Sequence, residues 1–295
     1  MTTKPCPACK ATNSKSYQKK GVYNLWSQRK EDFKKLDNFN FTSCRSCGLI
    51  INEDYKSINF HETDYSHVFS EEKVDSDYLV GAFVKNILDS NNLNDHYKPD
   101  KNTSSALKPC WIEIGCGKRI NYILDTAIDY GIHNFNLMDP LYESPELKEI
   151  ILKSFEEKEE LFETFPRIIL NHENQPDETF ADQFPILIAR NSLEYMNIDE
   201  IKNIFRTAFK QNDGAAIFEL TFPSLNNKGY MRQPNLYSEY QTFLSPKSIK
   251  CIFDSIGLSF MPKINSLVCG DQRNIIAGTV KRINSETLLH DFNNV

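Results

Sequence analysis

The sequence predicts an α/β fold: a doubly wound, mostly parallel seven-stranded sheet, preceded by a small module built on four cysteines. Three observations carry this prediction. From Trp111 onward, short apolar runs alternate with amphipathic stretches of helical period. Two C-x-x-C pairs stand ahead of that region, "CPAC" and "CRSCG". The charge also divides in two. Residues 1–47 hold ten Lys and Arg against three Asp and Glu, although the whole chain carries a net −6. A basic segment joined to an acidic body reads as two modules.

The elements follow in order. Residues 1–55 form the cysteine module, which "LIINEDY" leaves as a strand or turn. Residues 56–105 are an acidic, Tyr-rich connector. A helical stripe runs through its "DYLVGAFVKNILD", with Leu79, Phe83, Ile87 and Leu88 on one face. The α/β domain spans 106–285. Strand "WIEI" leads through "GCG" to a helix with Ile120, Ile123, Leu124, Ala127 and Ile128 inward, stopped by Gly131. Strand "FNLMD" follows, then a helix from about Pro145 through "KEIILKSFEEKEELF". Strand "RIIL", the polar turn "NHENQPDETFADQ" and strand "PILIA" come next. Helix "IDEIKNIFRTAFK" places Ile201, Ile204, Phe205 and Ala208 inward, and Gly214 lies just past its end. After strand "AAIFEL", the helix "SPKSIKCIFDSIG" starts with Ser245 as N-cap and Pro246 in its first turn. "LSFMPKI" and "RNIIAGTV" have no helix between them, so they form an antiparallel edge pair.

Cys6, Cys9, Cys44 and Cys47 predict a structural zinc site. Each C-x-x-C pair presents two thiolates from one tight knuckle, and two knuckles complete a tetrahedral Cys₄ set. Gly48 stands where such a knuckle needs positive φ. The 34 residues between Cys9 and Cys44 suit a ribbon with an inserted hairpin. Four protein ligands leave the metal no open position, so it contributes folding energy and no chemistry.

"EIGCG" ends the first strand of the α/β domain. Ligands of doubly wound sheets sit at such strand ends, where Gly115 and Gly117 permit close backbone approach. Asp139 ends the next strand, about 20 residues on, where a carboxylate can take ribose hydroxyls. The third glycine of a dinucleotide motif is missing, and Glu113 ahead of the turn would repel a pyrophosphate. A cofactor with ribose and no phosphate fits better.

These motifs resemble class I S-adenosylmethionine-dependent methyltransferases: "EIGCG" after a strand, Asp139 after the second, "IARNSLEYM" after the fourth, and "FLSPKSIKCIFDSIGL" near the end. With the Cys₄ knuckles ahead, the chain is similar to the subgroup with an N-terminal zinc-binding domain. That subgroup includes sugar C-methyltransferases acting on nucleotide-linked deoxysugars. The resemblance implies a Rossmann-like methyltransferase sheet with S-adenosylmethionine and structural zinc as its cofactors. It implies that Gly115, Cys116 and Gly117 line the methionine and ribose moieties, and that Glu113 orients the turn or the cofactor ammonium. Asp139 would bind the ribose hydroxyls, and 171–173 would lie near adenine. Arg190 and Asn191 would face the sulfonium and substrate.

The sequence departs from the subgroup in three places. Arg119 replaces the third glycine. "LYSEYQTFLSP" keeps Tyr237 and Glu239, but Ser238 and Tyr240 stand where the subgroup has histidines. The chain also ends soon after the methyltransferase core. O- or N-methylation is therefore expected over C-methylation. Candidates for the base are His172, Tyr195, Glu239, Tyr240 and the Tyr65–His67 segment. Glu194 and Tyr195 follow the fourth strand, where the resemblance implies substrate-facing residues; the alternative is that Leu193 and Met196 pack and Glu194 caps the next helix.

The expected partner is a small-molecule substrate, such as a nucleotide sugar or a secondary metabolite. Two other readings stay open. One is a degenerate methyltransferase fold with a scaffolding role. The other is an RNA- or phosphate-binding module using the basic segment, with Tyr17, Tyr23, Trp26 and Phe33 as a stacking surface. No apolar run approaches the roughly 18 residues of a membrane span, and the N-terminus lacks an apolar signal core. The expected location is the cytoplasm.

Overall fold

The computed structural model describes residues 4–19, 39–55, 80–86, 108–117, 120–162, 166–173, 175–177, 182–221, 240–268 and 273–283. Arg119, Glu239 and the Tyr65–His67 segment lie outside them. Near the N-terminus, β1 (Ser14–Lys19), β2 (Phe39–Cys44) and β3 (Ile50–Asn52) form an antiparallel sheet. Ser14 pairs with Cys44 and Lys19 with Phe39.

Strands apolar from end to end can be buried on both faces. Every residue of β4 (Pro109–Ile114) is buried. It pairs in parallel with β5 (Asn134–Met138), which pairs with the edge strand β6 (Arg167–Asn171). On its other side β4 pairs in parallel with β7 (Phe184–Arg190), and β7 with β8 (Gly214–Thr221), both buried throughout. The two-residue strand β9 (Thr242–Phe243) leaves this sheet and pairs antiparallel with β3. The small sheet thus runs β1-β2-β3-β9. Residues 1–55 supply three of its strands, and the α/β region supplies the fourth.

The expected edge pair forms as β10 (Leu258–Val268) and β11 (Arg273–Arg282), antiparallel to each other, with β11 antiparallel to β8. The large sheet is therefore a mostly parallel seven-stranded Rossmann-like sheet, ordered β10-β11-β8-β7-β4-β5-β6. Its order reverses at β4, between β5 and β7. That reversal opens a crevice beyond the strand ends.

Four capped helices flank the sheet. α1 (Asn121–Tyr130) ends on Gly131 at φ 63°, whose N–H bonds back to the helix. α2 (Pro145–Glu156) starts at Ser144. α3 (Ile198–Ala208) has a capping box of Asn197 and Glu200. α4 (Pro246–Asp254) starts at Ser245 with Pro246 first. Residues of α1, α2 and 80–86 pack on one sheet face with Trp111, Phe135 and Ile186. Residues of α3 and α4 pack on the other with Ile112, Leu187 and Phe218, and the cysteine knuckles join that core. Phe205 stacks on Phe253 at 4.3 Å and Phe253 on Phe260 at 5.2 Å.

Within 80–86, Val80 and Val84 are fully buried, and Phe83 of the expected face is partly buried against the same core; Leu79, Ile87 and Leu88 lie outside the described residues. Gly81 lies against Thr126 of α1, where a Cβ would come 3.0 Å from the hydroxyl. One expectation needs correction. The second helix stops at Glu156, short of "EELF". Residues 159–161 form a separate 3₁₀ turn, and Lys158 between them bonds Asp125 of α1 at 2.6 Å.

Among the described residues, no helix is long and apolar enough to cross a membrane.

Candidate functional site

The four cysteines of the two knuckles converge. Cys6 Sγ lies 3.6 Å from Cys47 Sγ, and Cys9 Sγ 3.5 Å from Cys44 Sγ. All four sulfurs lie within 4.8 Å of one another. A disulfide needs about 2.05 Å. Tetrahedral zinc at about 2.3 Å from each sulfur sets S···S edges near 3.8 Å. The donor set therefore fits a metal ion, and all four residues are free thiols.

Both knuckles use the same turn. Lys10 N–H donates to Cys6 O and Gly48 N–H to Cys44 O, each at 2.8 Å. The residue after each second cysteine is left-handed: Lys10 at φ 63° and Gly48 at φ 77°. Burial raises the Cys6 and Cys47 thiols. Burial also pushes Cys44 up, but N–H bonds from Cys47 and Ser46 help bring it below its ordinary value. A metal would have to displace these protons.

The second constellation lies at the crevice. β4 ends in the turn Gly115–Cys116–Gly117, with φ 72° at Gly115 and 53° at Gly117. Gly115 abuts protein: a Cβ there would sit 2.6 Å from Ser192 Cβ. Ser192 follows β7, and its hydroxyl donates to Ile114 O at 2.8 Å. Gly117 N–H donates to Asp139 Oδ2 and Leu141 N–H to Oδ1, both at 2.9 Å. Asp139 is 4 % exposed, and burial raises it to about 6 against the pull of those two N–H groups. An ionised carboxylate has about four lone-pair sites, so two N–H donors leave room for two hydroxyls. Asp139 N–H also donates to Asn171 O at 3.0 Å, which brings 171–173 beside it. Cys116 Sγ lies 2.5 Å from Tyr142 Oη, and that hydroxyl donates to Gly117 O at 2.9 Å.

Glu113 and Arg190 lie in the floor beneath this turn. Trp111 Nε1 donates to Glu113 Oε2 at 2.8 Å, and Tyr122 Oη donates to Oε1. The Arg190 guanidinium lies 4.8 Å from the Tyr122 ring centre, and its Nε pairs with Glu219 Oε2 at 3.0 Å. All of these side chains are buried. Burial, then the Glu113 charge, pushes the Tyr122 hydroxyl well up, with Arg190 opposing.

Asn191 is left-handed at φ 49°, an unusual backbone state for a non-glycine residue. It follows β7 directly, and its Oδ1 accepts from Thr221 Oγ1 at 3.3 Å. Glu194 is fully buried, and its Oε1 accepts from Thr221 N–H at 2.7 Å. It does not cap the next helix, because Asn197 does. The Tyr195 and Tyr240 rings meet edge to face at 5.0 Å, and Tyr240 also packs on Phe243. His172 is exposed beyond β6.

The structure thus groups Gly115, Cys116, Gly117 and Asp139 at one crevice. Tyr195 and Tyr240 form a separate pair. Ser192, Tyr122, Tyr142 and Glu219 escaped the sequence reading. Glu219 had a legible signal, a carboxylate inside the apolar strand "AAIFEL". The others look like ordinary polar residues until the strands are assembled.

No family model matches the chain, and no curated protein sequence matches it. Several solved structures are similar. An S-adenosylmethionine-dependent methyltransferase from Clostridium acetobutylicum is 12% identical over 75% of this chain and 96% of that chain, with TM-score 0.45. Magnesium protoporphyrin IX methyltransferase from Synechocystis, with bound S-adenosylhomocysteine, is 13% identical over 74% of this chain and 92% of that chain, with TM-score 0.42. The apo form of the S-adenosylmethionine-dependent methyltransferase SibL is 14% identical over 67% of this chain, with TM-score 0.41. The chain spans 56% of SibL's length.

Proposed function

We propose that the chain transfers a methyl group from S-adenosylmethionine to an oxygen or nitrogen of a small-molecule acceptor, and that its four N-terminal cysteines hold a structural zinc ion. Asp139 carries the first part. It is a buried carboxylate at the end of β5, tied to the glycine turn at the end of β4 through Gly117 N–H. In a doubly wound sheet this is where a ribose is held.

When bound, S-adenosylmethionine supplies an electrophilic methyl on a sulfonium. Asp139 accepts hydrogen bonds from the ribose hydroxyls, and the 115–117 backbone lines the methionine end. Glu113 acts through Trp111 and Tyr122, which fix the base of the turn and the start of α1. Arg190, paired with Glu219, holds the ends of β7 and β8 together. Asn191, directly after β7, is the residue of this strand end nearest to where an acceptor would enter, while Tyr240 is buried against Phe243 and Tyr195 packs on it. Bringing acceptor and methyl into line, away from water, supplies most of the acceleration. Bound there, the cofactor would supply the methyl group to the acceptor atom and leave as the neutral thioether, and a base of this chain would take the acceptor's proton. Tyr195, Tyr240, Glu239 and His172 are the candidates for that role. Of these, Tyr195 stands in the turn that follows β7.

The test is a calorimetric titration of the zinc-loaded chain with S-adenosylmethionine and S-adenosylhomocysteine. Micromolar binding of both is expected. Absence of binding by either would overturn the reading and favour a scaffold.

A further inference from the structure

The two sites are joined by one short segment, residues 240–245. On one side it is held by the cysteine module. β9 pairs with β3, Ile50 opposite Phe243 and Ile51 opposite Thr242. Asn52 N–H donates to Gln241 O, and Asn52 Nδ2 donates to Tyr240 O, both at 3.0 Å. Ser245 Oγ donates to the carbonyl of the metal-site residue Cys47 at 2.5 Å.

On its other side the same segment holds the turn after β7. Gln241 N–H donates to Glu194 O at 2.7 Å. Thr242 Oγ1 lies 3.3 Å from Leu193 O and 3.2 Å from Met196 O. The next residue back is Ser192, whose hydroxyl bonds Ile114 O and whose Cβ fills the space over Gly115. A continuous run of bonded or touching groups therefore leads from Cys47 to the glycine turn.

We infer that metal occupancy of the four-cysteine cluster and cofactor occupancy of the glycine turn are energetically coupled through residues 240–245, each ligand tightening the other. The inference rests on the cofactor reading above. β3 is three residues long, and the knuckle Cys44–Cys47 is what sets its start. A metal closes the 34-residue gap between the knuckles, so its binding free energy is largely ordering free energy of this small sheet. Without it β3 loses its anchor, residues 240–243 lose their partner strand, and the 193–196 turn loses the Thr242 hydroxyl. Coupling of this kind is reciprocal: whatever factor the metal adds to cofactor affinity, the cofactor adds to metal affinity.

The experiment uses full-length reduced chain loaded with cobalt(II), read by thiolate-to-cobalt absorption. A chelator competes for the metal with and without saturating S-adenosylhomocysteine. Binding of S-adenosylhomocysteine to the loaded chain is checked separately by calorimetry. The expected result is that S-adenosylhomocysteine raises the chelator concentration needed for half-removal by about fivefold or more. Thr242→Val should leave cobalt affinity in the absence of S-adenosylhomocysteine unchanged and abolish the shift. The proposal is overturned if S-adenosylhomocysteine binds yet moves the competition curve less than about twofold, or if Thr242→Val keeps the full shift. A flat calorimetric trace with loaded chain would overturn the cofactor reading and the coupling with it.

Discussion

The cysteine knuckles and the glycine turn are both tight and both use left-handed backbone, yet they are built in opposite ways. Each knuckle closes on itself within five residues, and its bonds are local: Lys10 to Cys6, Gly48 to Cys44. The long-range contacts, the meeting of the two sulfur pairs and bonds such as Ser245 Oγ to Cys47 O, add to a turn already closed locally. The glycine turn has almost no local closure. Its shape comes from Asp139 on β5, Ser192 after β7 and Tyr142 beyond β5. A local motif with four soft ligands suits a metal that stabilises the fold. A turn assembled from separate strand ends suits a ligand that must bind and leave, because no single segment commits to holding it.

The largest effect that sharpens this contrast is metal removal. Cys44→Ser, or stripping by chelator under reducing conditions, should lower Tm by about 10 °C or more, given several kcal/mol of metal-linked folding energy. Amide exchange should also lose its protection over 39–52. An unchanged melting curve with no bound metal would place the knuckles with ordinary thiols.

Next is the floor of the crevice. Glu219→Ala leaves the Arg190 guanidinium buried without that carboxylate, which should destabilise the chain by about 3–5 kcal/mol in denaturant titration. Replacing the pair together, Arg190→Met with Glu219→Leu, should restore most of the loss. If the single variant is within about 1 kcal/mol of wild type, the pair is not what ties β7 to β8.

Asp139→Ala should weaken S-adenosylmethionine binding about 10- to 100-fold, from loss of charge-assisted hydrogen bonds, while zinc content stays at one per chain. The same residue sets a pH signature. Its value is about 6 in the folded chain against an ordinary 3.8, so the folded state holds the proton more tightly. Its contribution to stability is fully present below pH about 4 and is lost as pH rises through about 6. Cofactor binding runs the other way, because ribose hydroxyls need an ionised acceptor. Affinity should fall as pH drops below about 6, and Asp139→Asn should flatten both profiles. Parallel movement of stability and affinity would remove Asp139 from the ribose role.

The smallest effect compares the knuckles with each other. Lys10→Gly relieves a left-handed lysine on an exposed turn, and should change stability by no more than about 1 kcal/mol. Gly48→Ala puts a Cβ 3.1 Å from Ser245 Oγ at φ 77°, and should cost about 1–3 kcal/mol. Equal effects would mean that Ser245 does not press on the second knuckle.

The sequence by itself determined the seven strands and their helices, the caps at Ser245 and Gly131, the grouping of the four cysteines, and the placing of "GCG" and Asp139 at adjacent strand ends. Each is written in signals a few residues long: period two or 3.6, a capping residue, C-x-x-C, a glycine beside a strand end. Tertiary structure alone decided the rest. It gave Glu113 to Trp111 and Tyr122, and Arg190 to Glu219. It set Ser192 over Gly115, turned Val80 and Val84 to the core, and sent residues 242–243 to complete the sheet of the cysteine module. These choices depend on which group lies across a strand or helix boundary. The partners are far apart in sequence, Arg190 from Glu219 and Cys47 from Ser245, and local periodicity carries no information about them. Packing does, because a buried polar group must find its donor or acceptor among whatever neighbours the assembled sheet brings within reach.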